Sequence, residues 1–137
     1  MEPAVNIALR AARKAGDIIA RATERMDLIK IEEKEKNDFV TNVDKAAEQE
    51  IIEHIQKAWP EHNIMGEESG LISGSNGQSD TTWYIDPLDG TTNFVRGIPH
   101  FSVSIACAKN DIVEHAVIYD PIPVSYTHLT LPTILLV

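Results

Sequence analysis

Residues 83–94 read Trp-Tyr-Ile-Asp-Pro-Leu-Asp-Gly-Thr-Thr-Asn-Phe, and their order decides the fold class. Two carboxylates, Asp86 and Asp89, stand three residues apart at the end of an apolar run. Pro87 keeps the chain between them out of a helix. Gly90 follows, then the hydroxyls of Thr91 and Thr92. A strand that ends in carboxylates and turns into a helix start sets hard oxygen ligands, suited to Mg²⁺, beside free backbone N–H groups, suited to a phosphate. Metal beside phosphate is the arrangement a phosphatase needs. The same string also reads as ordinary turn chemistry, because Asp-Gly between apolar runs favours a hairpin and Asp-Pro a turn.

Two upstream segments add weight to the first reading. Gly66-Glu67-Glu68-Ser69-Gly70 follows Ile64-Met65 and supplies further carboxylates where a strand passes into a loop. Alone, such a pair reads as a solvated face. Residues 38–44, Asp-Phe-Val-Thr-Asn-Val-Asp, lead into a helix. Thr41 or Asp44 there also reads simply as an N-cap. Taken together, in this order and spacing, the three segments resemble the inositol monophosphatase family. The match runs from about Asn6 to Tyr119 and includes Ala-Ala-Arg-Lys-Ala-Gly at 11–16 and Phe-Ser-Val-Ser-Ile-Ala at 101–106. Thr91-Thr92-Asn93 points to the inositol phosphatase branch. After the Asp-Gly, nucleotide bisphosphate phosphatases usually carry Thr-Lys and classical fructose bisphosphatases Ser-Ser.

The resemblance implies roles for single residues. Glu67 binds metal, Asp86 bridges, Asp89 serves a second ion, and the Leu88 carbonyl also coordinates. Thr91 holds and helps deprotonate the attacking water, backed by Asp44, so Glu67, Thr91 and Asp44 form the catalytic set. Asp89 and the amides of Gly90 and Thr91 face the phosphate. The implied activity is Mg²⁺-dependent hydrolysis of inositol 1-phosphate, in a lithium-sensitive family. The alternative is a related sugar phosphatase acting on fructose 1,6-bisphosphate, histidinol phosphate or a nucleotide bisphosphate. Full-length members form homodimers, and bacterial ones are also linked to transcription through RNA polymerase and Nus factors, a role that need not be catalytic. Members are about twice this long, within the one-to-two-domain range. The other half carries another metal-binding aspartate and the groups that hold the inositol hydroxyls. This chain is therefore expected to be an incomplete, poorly active fragment.

Composition bounds the rest. The chain has 137 residues, 43% of them hydrophobic, enough for one modest core. A net charge of −9 argues against a nucleic-acid surface, which needs clustered Lys and Arg. Cys107 is the only cysteine. It lies in an apolar run and reads as a small buried hydrophobe. The acidic start, Met1-Glu2-Pro3, is no signal peptide, so a cytoplasmic protein is expected. The five histidines show no ligand spacing.

Apolar periodicity predicts helices over 3–26 and 43–59 and strands over 63–66, 82–86, 102–109 and 112–119. Residues 30–37 read as a loop or loose hairpin, and 71–80 as a mobile loop. The fold class is α+β, with two N-terminal helices packed on a mainly antiparallel sheet. By resemblance this is the N-terminal half of the layered αβαβα sugar-phosphatase fold. The domain is expected over 1–121. No Asp, Glu, Lys or Arg occurs after Asp120, and Pro132 interrupts a stretch too short to span a membrane. Residues 122–137 depart from the family pattern and read as a non-native cloning, assembly or reading-frame artefact, against a genuine membrane-touching tail.

Overall fold

A computed structural model describes residues 2–36, 38–122, 127–129 and 134–136, the last two segments by backbone alone. Helix α1 spans Pro3–Thr23. Pro3 stands in its first turn, where a missing N–H costs nothing. Val5, Ala8, Ala11, Ala12, Ala15, Gly16 and Ile19 form its buried face, at steps of three and four. The helix stops short of the expected Met26. The Thr23 hydroxyl donates to the Ala20 carbonyl at 2.6 Å, and Met26–Leu28 is a separate 3₁₀ turn.

Helix α2 spans Asn42–Ala58 and buries Ala47, Ile51, Ile52 and Ile55. Its start is a capping box. The Thr41 hydroxyl accepts from the amides of Val43 and Asp44, each at 3.2 Å. The Asp44 carboxylate accepts in turn from the Thr41 amide at 3.0 Å. Each side chain thus satisfies amides that the first helical turn leaves unpaired.

Strands β1 (Ile31–Glu35) and β2 (Asp38–Thr41) form a separate antiparallel hairpin, which decides the loop-or-hairpin question for 30–37. Asn37 itself lies outside the described residues. The main sheet contains β3 (Asn63–Gly66), β4 (Gly70–Ile72), β5 (Thr81–Asp89), β6 (Ser102–Lys109), β7 (Ile112–Tyr119), β8 (Thr127–Leu129) and β9 (Ile134–Leu136). Their order is β4-β3-β5-β6-β7-β9-β8. Pairing is antiparallel except between β3 and β5 and between β7 and β9. The sheet is mainly antiparallel, as expected. The β6–β7 turn needs positive φ at both central residues, and Asn110 (φ 50) and Asp111 (φ 64) supply it.

Two expectations for the main sheet change. The stretch 71–80 is not all loop, because Leu71 and Ile72 pair back onto Met65 and Ile64. Strand β5 does not end at Asp86 but runs through the motif to Asp89. Asp86 lies opposite Ser104 and Asp89 opposite Ser102, so three steps on β5 face two on β6. This is a bulge, where Pro87, with no N–H to give, is tolerated.

Helices α1 and α2 pack together on one face of the sheet. Beneath them lie Ile64, Trp83, Ile85, Val103, Ile105, Cys107 and Val117, all buried. Burial pushes the Cys107 thiol up to about 11, which keeps it a neutral hydrophobe. The register aligns Leu71, Met65, Tyr84, Ala106 and Ala116 across the strands. That row lies on the other face, since the in-register neighbours Ile64, Trp83 and Cys107 point the opposite way. There Leu71, Tyr84 and Met65 are 61%, 41% and 38% exposed.

Most of the expectation for 122–137 falls outside the described residues. Ile122 packs against the core, and the backbones of β8 and β9 extend the sheet. We propose that the residues after Ile122 are dispensable for the domain. Cutting the chain there is expected to leave the thermal midpoint unchanged and raise solubility. Loss of the cooperative unfolding transition would show instead that β8 and β9 are needed.

Candidate active site

The sheet brings two separated carboxylates together. Strands β3 and β5 run parallel with Gly66 opposite Ile85, so the next residues, Glu67 and Asp86, leave the pair on the same side. Their carboxyls stand close enough that each perturbs the other. Burial, then the contact with Asp86, pushes Glu67 up to about 8, while Lys34 pulls the other way. Asp86 is raised chiefly by burial, with the charges of Asp89 and Glu48 adding to the rise. Two carboxylates this close cannot both ionise unless a cation joins them. Asp86 Oδ1 is buried with no hydrogen-bond partner, a costly state for an acceptor.

The second half of the site hangs from the start of α2. After the β5 bulge, Gly90 adopts φ 94, and a Cβ there would stand 2.8 Å from the His100 carbonyl. Only glycine fits. The chain then turns into the short helix α3, Thr91–Val95. The Thr91 hydroxyl lies 2.9 Å from Asp44 Oδ1 and 2.9 Å from the Leu88 carbonyl. A single hydroxyl proton serves both acceptors in turn. Asp44 is 3% exposed. Burial raises it, and hydrogen bonds from Thr41 and Thr91 pull it back. Capping and site chemistry therefore coexist at Asp44, and Thr41 is the N-cap itself.

A cavity of about 190 Å³ opens between these halves, lined by Phe39, Glu67, Asp86, Leu88, Asp89, Gly90, Thr91 and Thr92. It gathers every site residue anticipated from the sequence except Asp44, which stands behind Thr91. Sequence reading missed Glu48, on α2 and 1% exposed. Its carboxylate accepts from the amides of Glu68 (3.0 Å) and Ser69 (2.8 Å) and from the Ser69 hydroxyl (2.6 Å). The signal was available. Glu48 follows Asp44 by four residues and sits within the apolar stripe between Ala47 and Ile51. Lys34, on the β1 strand, pairs with Glu68 at 2.7 Å and ties the hairpin to the same turn.

Comparison with known proteins identifies the family and the fold. The profile of the inositol monophosphatase family matches residues 1–130. The Nus factor SuhB of Pseudomonas aeruginosa is 57% identical over 122 residues, covering 89% of this chain and 45% of that protein. The crystal structure of the extragenic suppressor protein suhB from Bartonella henselae superposes with a TM-score of 0.83 at 37% identity, over 88% of this chain and 46% of that one. The Thermotoga maritima IMPase gives 0.76 at 34% identity, over 88% and 45%. The chain belongs to the inositol monophosphatase family and has its α+β phosphatase-type fold. It spans about half the length of the curated relatives it matches.

Family members are generally metal-dependent, and the donors here fit a divalent cation. The orphaned Asp86 Oδ1, the Glu67–Asp86 pair and the Leu88 carbonyl are all hard oxygens. Among the described residues no three His, Cys, Asp or Glu side chains already converge as a closed cage.

The raised Glu67 gives a pH dependence of defined sign. A carboxyl whose folded pKa lies above its ordinary 4.5 stabilises the fold when protonated. That contribution is complete below about 4.5 and is lost as pH rises through about 8. Without divalent cations, the thermal midpoint is expected to fall between pH 5 and 9, and Glu67→Gln should flatten the fall. A flat profile for the unaltered chain would show that the two carboxyls do not perturb each other.

Proposed function

We propose that this chain is the metal- and phosphate-binding half of a Mg²⁺-dependent phosphomonoester hydrolase acting on inositol 1-phosphate. The observation that carries the reading is the joint at Thr91. Its hydroxyl spans Asp44 and the Leu88 carbonyl on the rim of a cavity whose far side holds the mutually perturbed Glu67–Asp86 pair.

Glu67, Asp86, Asp89 and the Leu88 carbonyl would hold the metal. When bound, Mg²⁺ neutralises phosphate oxygens, acidifies a water and stabilises the leaving alkoxide. The Leu88 oxygen has two lone pairs, so accepting from Thr91 leaves it one. Thr91 Oγ1 would accept a hydrogen bond from the attacking water while donating its own proton to Asp44 Oδ1. Asp44 takes up that role readily because burial already raises its affinity for a proton. Glu67 would orient the water from the other side. Asp89 and the amides of Gly90 and Thr91 would position the phosphate. Substrate selection is assigned to the length of the relatives that this chain does not span, so the 137-residue chain should release phosphate near background. A cytoplasmic location and homodimerisation of the full-length form complete the proposal. Among the described residues no helix is long and apolar enough to cross a membrane.

A second reading rests on the name of the relatives, Nus factor SuhB. It is a non-catalytic role in transcription, through RNA polymerase and Nus factors. Capture of polymerase by a carboxylate-deficient variant supports it, since binding would not need the metal site.

Two measurements test the first reading. Mg²⁺ should raise the thermal midpoint of the chain by binding the native state alone, and Asp86→Asn should abolish the rise. An unchanged response in that variant places the ion elsewhere. In a version completed with the C-terminal half, Thr91→Ala and Asp44→Asn should lower kcat far more than they raise KM, because they act on the water in the transition state. Thr92→Ala should do less. Near-normal kcat in both variants would rule out water activation by Thr91.

A further inference from the structure

We infer that Glu48 is a positioning residue: it clamps the turn around Glu67 and so sets that carboxyl against Asp86. The inference deepens the metal-site reading above and rests on it. A carboxylate inside a packed helix face is costly unless its oxygens are satisfied. Glu48 meets this condition through the turn after β3, accepting two amides and one hydroxyl from Glu68 and Ser69. The chain before Glu67 is held by contact. A Cβ on Gly66 would lie 2.9 Å from the Glu48 carboxyl carbon, so a larger residue at 66 would displace the carboxylate from its present place. Glu48 thus touches the chain on both sides of Glu67.

Asp44 and Glu48 are four residues apart on α2 and share one face of it. Asp44 holds the Thr91 hydroxyl and Glu48 holds the Glu67 turn. One helix therefore indexes both walls of the cavity. The ordinary alternative is that Glu48 acts only through its charge, which reaches Asp86. Ser69 separates the two. Removing its hydroxyl deletes the 2.6 Å hydrogen bond and leaves every charge in place.

The test uses the whole chain with Mg²⁺ alone. Isothermal titration should show Mg²⁺ affinity falling about ten- to hundredfold in Glu48→Gln, the usual loss when a group that orients a ligand is removed. Gln offers an N–H where the turn needs an acceptor. Ser69→Ala should weaken Mg²⁺ binding several-fold while the metal-free chain still unfolds cooperatively. Hydrogen exchange in the metal-free chain reads the clamp directly. The Glu68 and Ser69 amides should be protected in the unaltered protein and lose protection in Glu48→Gln, and partly in Ser69→Ala. If Glu48→Gln fails to fold, Ser69→Ala carries both readouts. Unaltered exchange and Mg²⁺ affinity in Ser69→Ala would overturn the clamp. Absence of Mg²⁺ binding by the unaltered chain would instead overturn the metal reading, with amide exchange still deciding whether Glu48 holds the turn.

Discussion

The carboxylate of Asp44 is the joint on which the site depends. One oxygen completes the capping box with the Thr41 amide. The other receives the Thr91 hydroxyl, 47 residues further along the chain. A helix start and a strand-to-helix turn are thereby fixed to one another through a buried, fully used side chain. The group stays in the apolar interior because its hydrogen bonds offset part of its desolvation. Without it, the capping box of α2 would lose its bond to the Thr41 amide and the Thr91 hydroxyl would lose its tie to α2. Stability and site geometry are one constraint here.

Much of this was legible in the sequence because local rules and tertiary demands agree. Strand β3 and the β6–β7 hairpin have the bounds their apolar patterning predicts, with Asn-Asp at the turn. The candidate residues that gather at the cavity stood out because their chemistry is concentrated in three short strings. What escaped was non-local. Leu71 and Ile72 sit in a Gly/Ser-rich context that reads as loop, and only pairing with β3 makes them a strand. The extension of β5 past Pro87 depends on a bulge opposite β6, which no window on β5 alone reveals. Glu48 was passed over because a glutamate on a helix is by default solvated. Its burial follows from the position of a turn twenty residues away.

The two faces of the sheet are unequal. One is covered by α1 and α2 through small residues that allow close approach, Ala8, Ala11, Ala12 and Ala15. The other presents Leu71, Met65 and Tyr84 to solvent. An apolar face of this kind marks a surface that a partner layer normally covers. The proposed site lies at the margin of that face, since Glu67 and Asp86 border both the candidate-site cavity and the open surface. Whatever covers the sheet would also change the solvation of the paired carboxyls.

The loop between β4 and β5, residues 73–80, contributes nothing to the cavity of the candidate site. Asn63 closes its base, donating to the Ser79 carbonyl at 3.1 Å and accepting from the Gly74 amide at 2.9 Å. Length changes between Ser75 and Gln78 would be absorbed outside this clasp, with the β3–β5 register untouched. The stretch is therefore a natural port, a place where a tag, a fluorophore or an extra recognition loop can be grafted without disturbing the carboxylate pair.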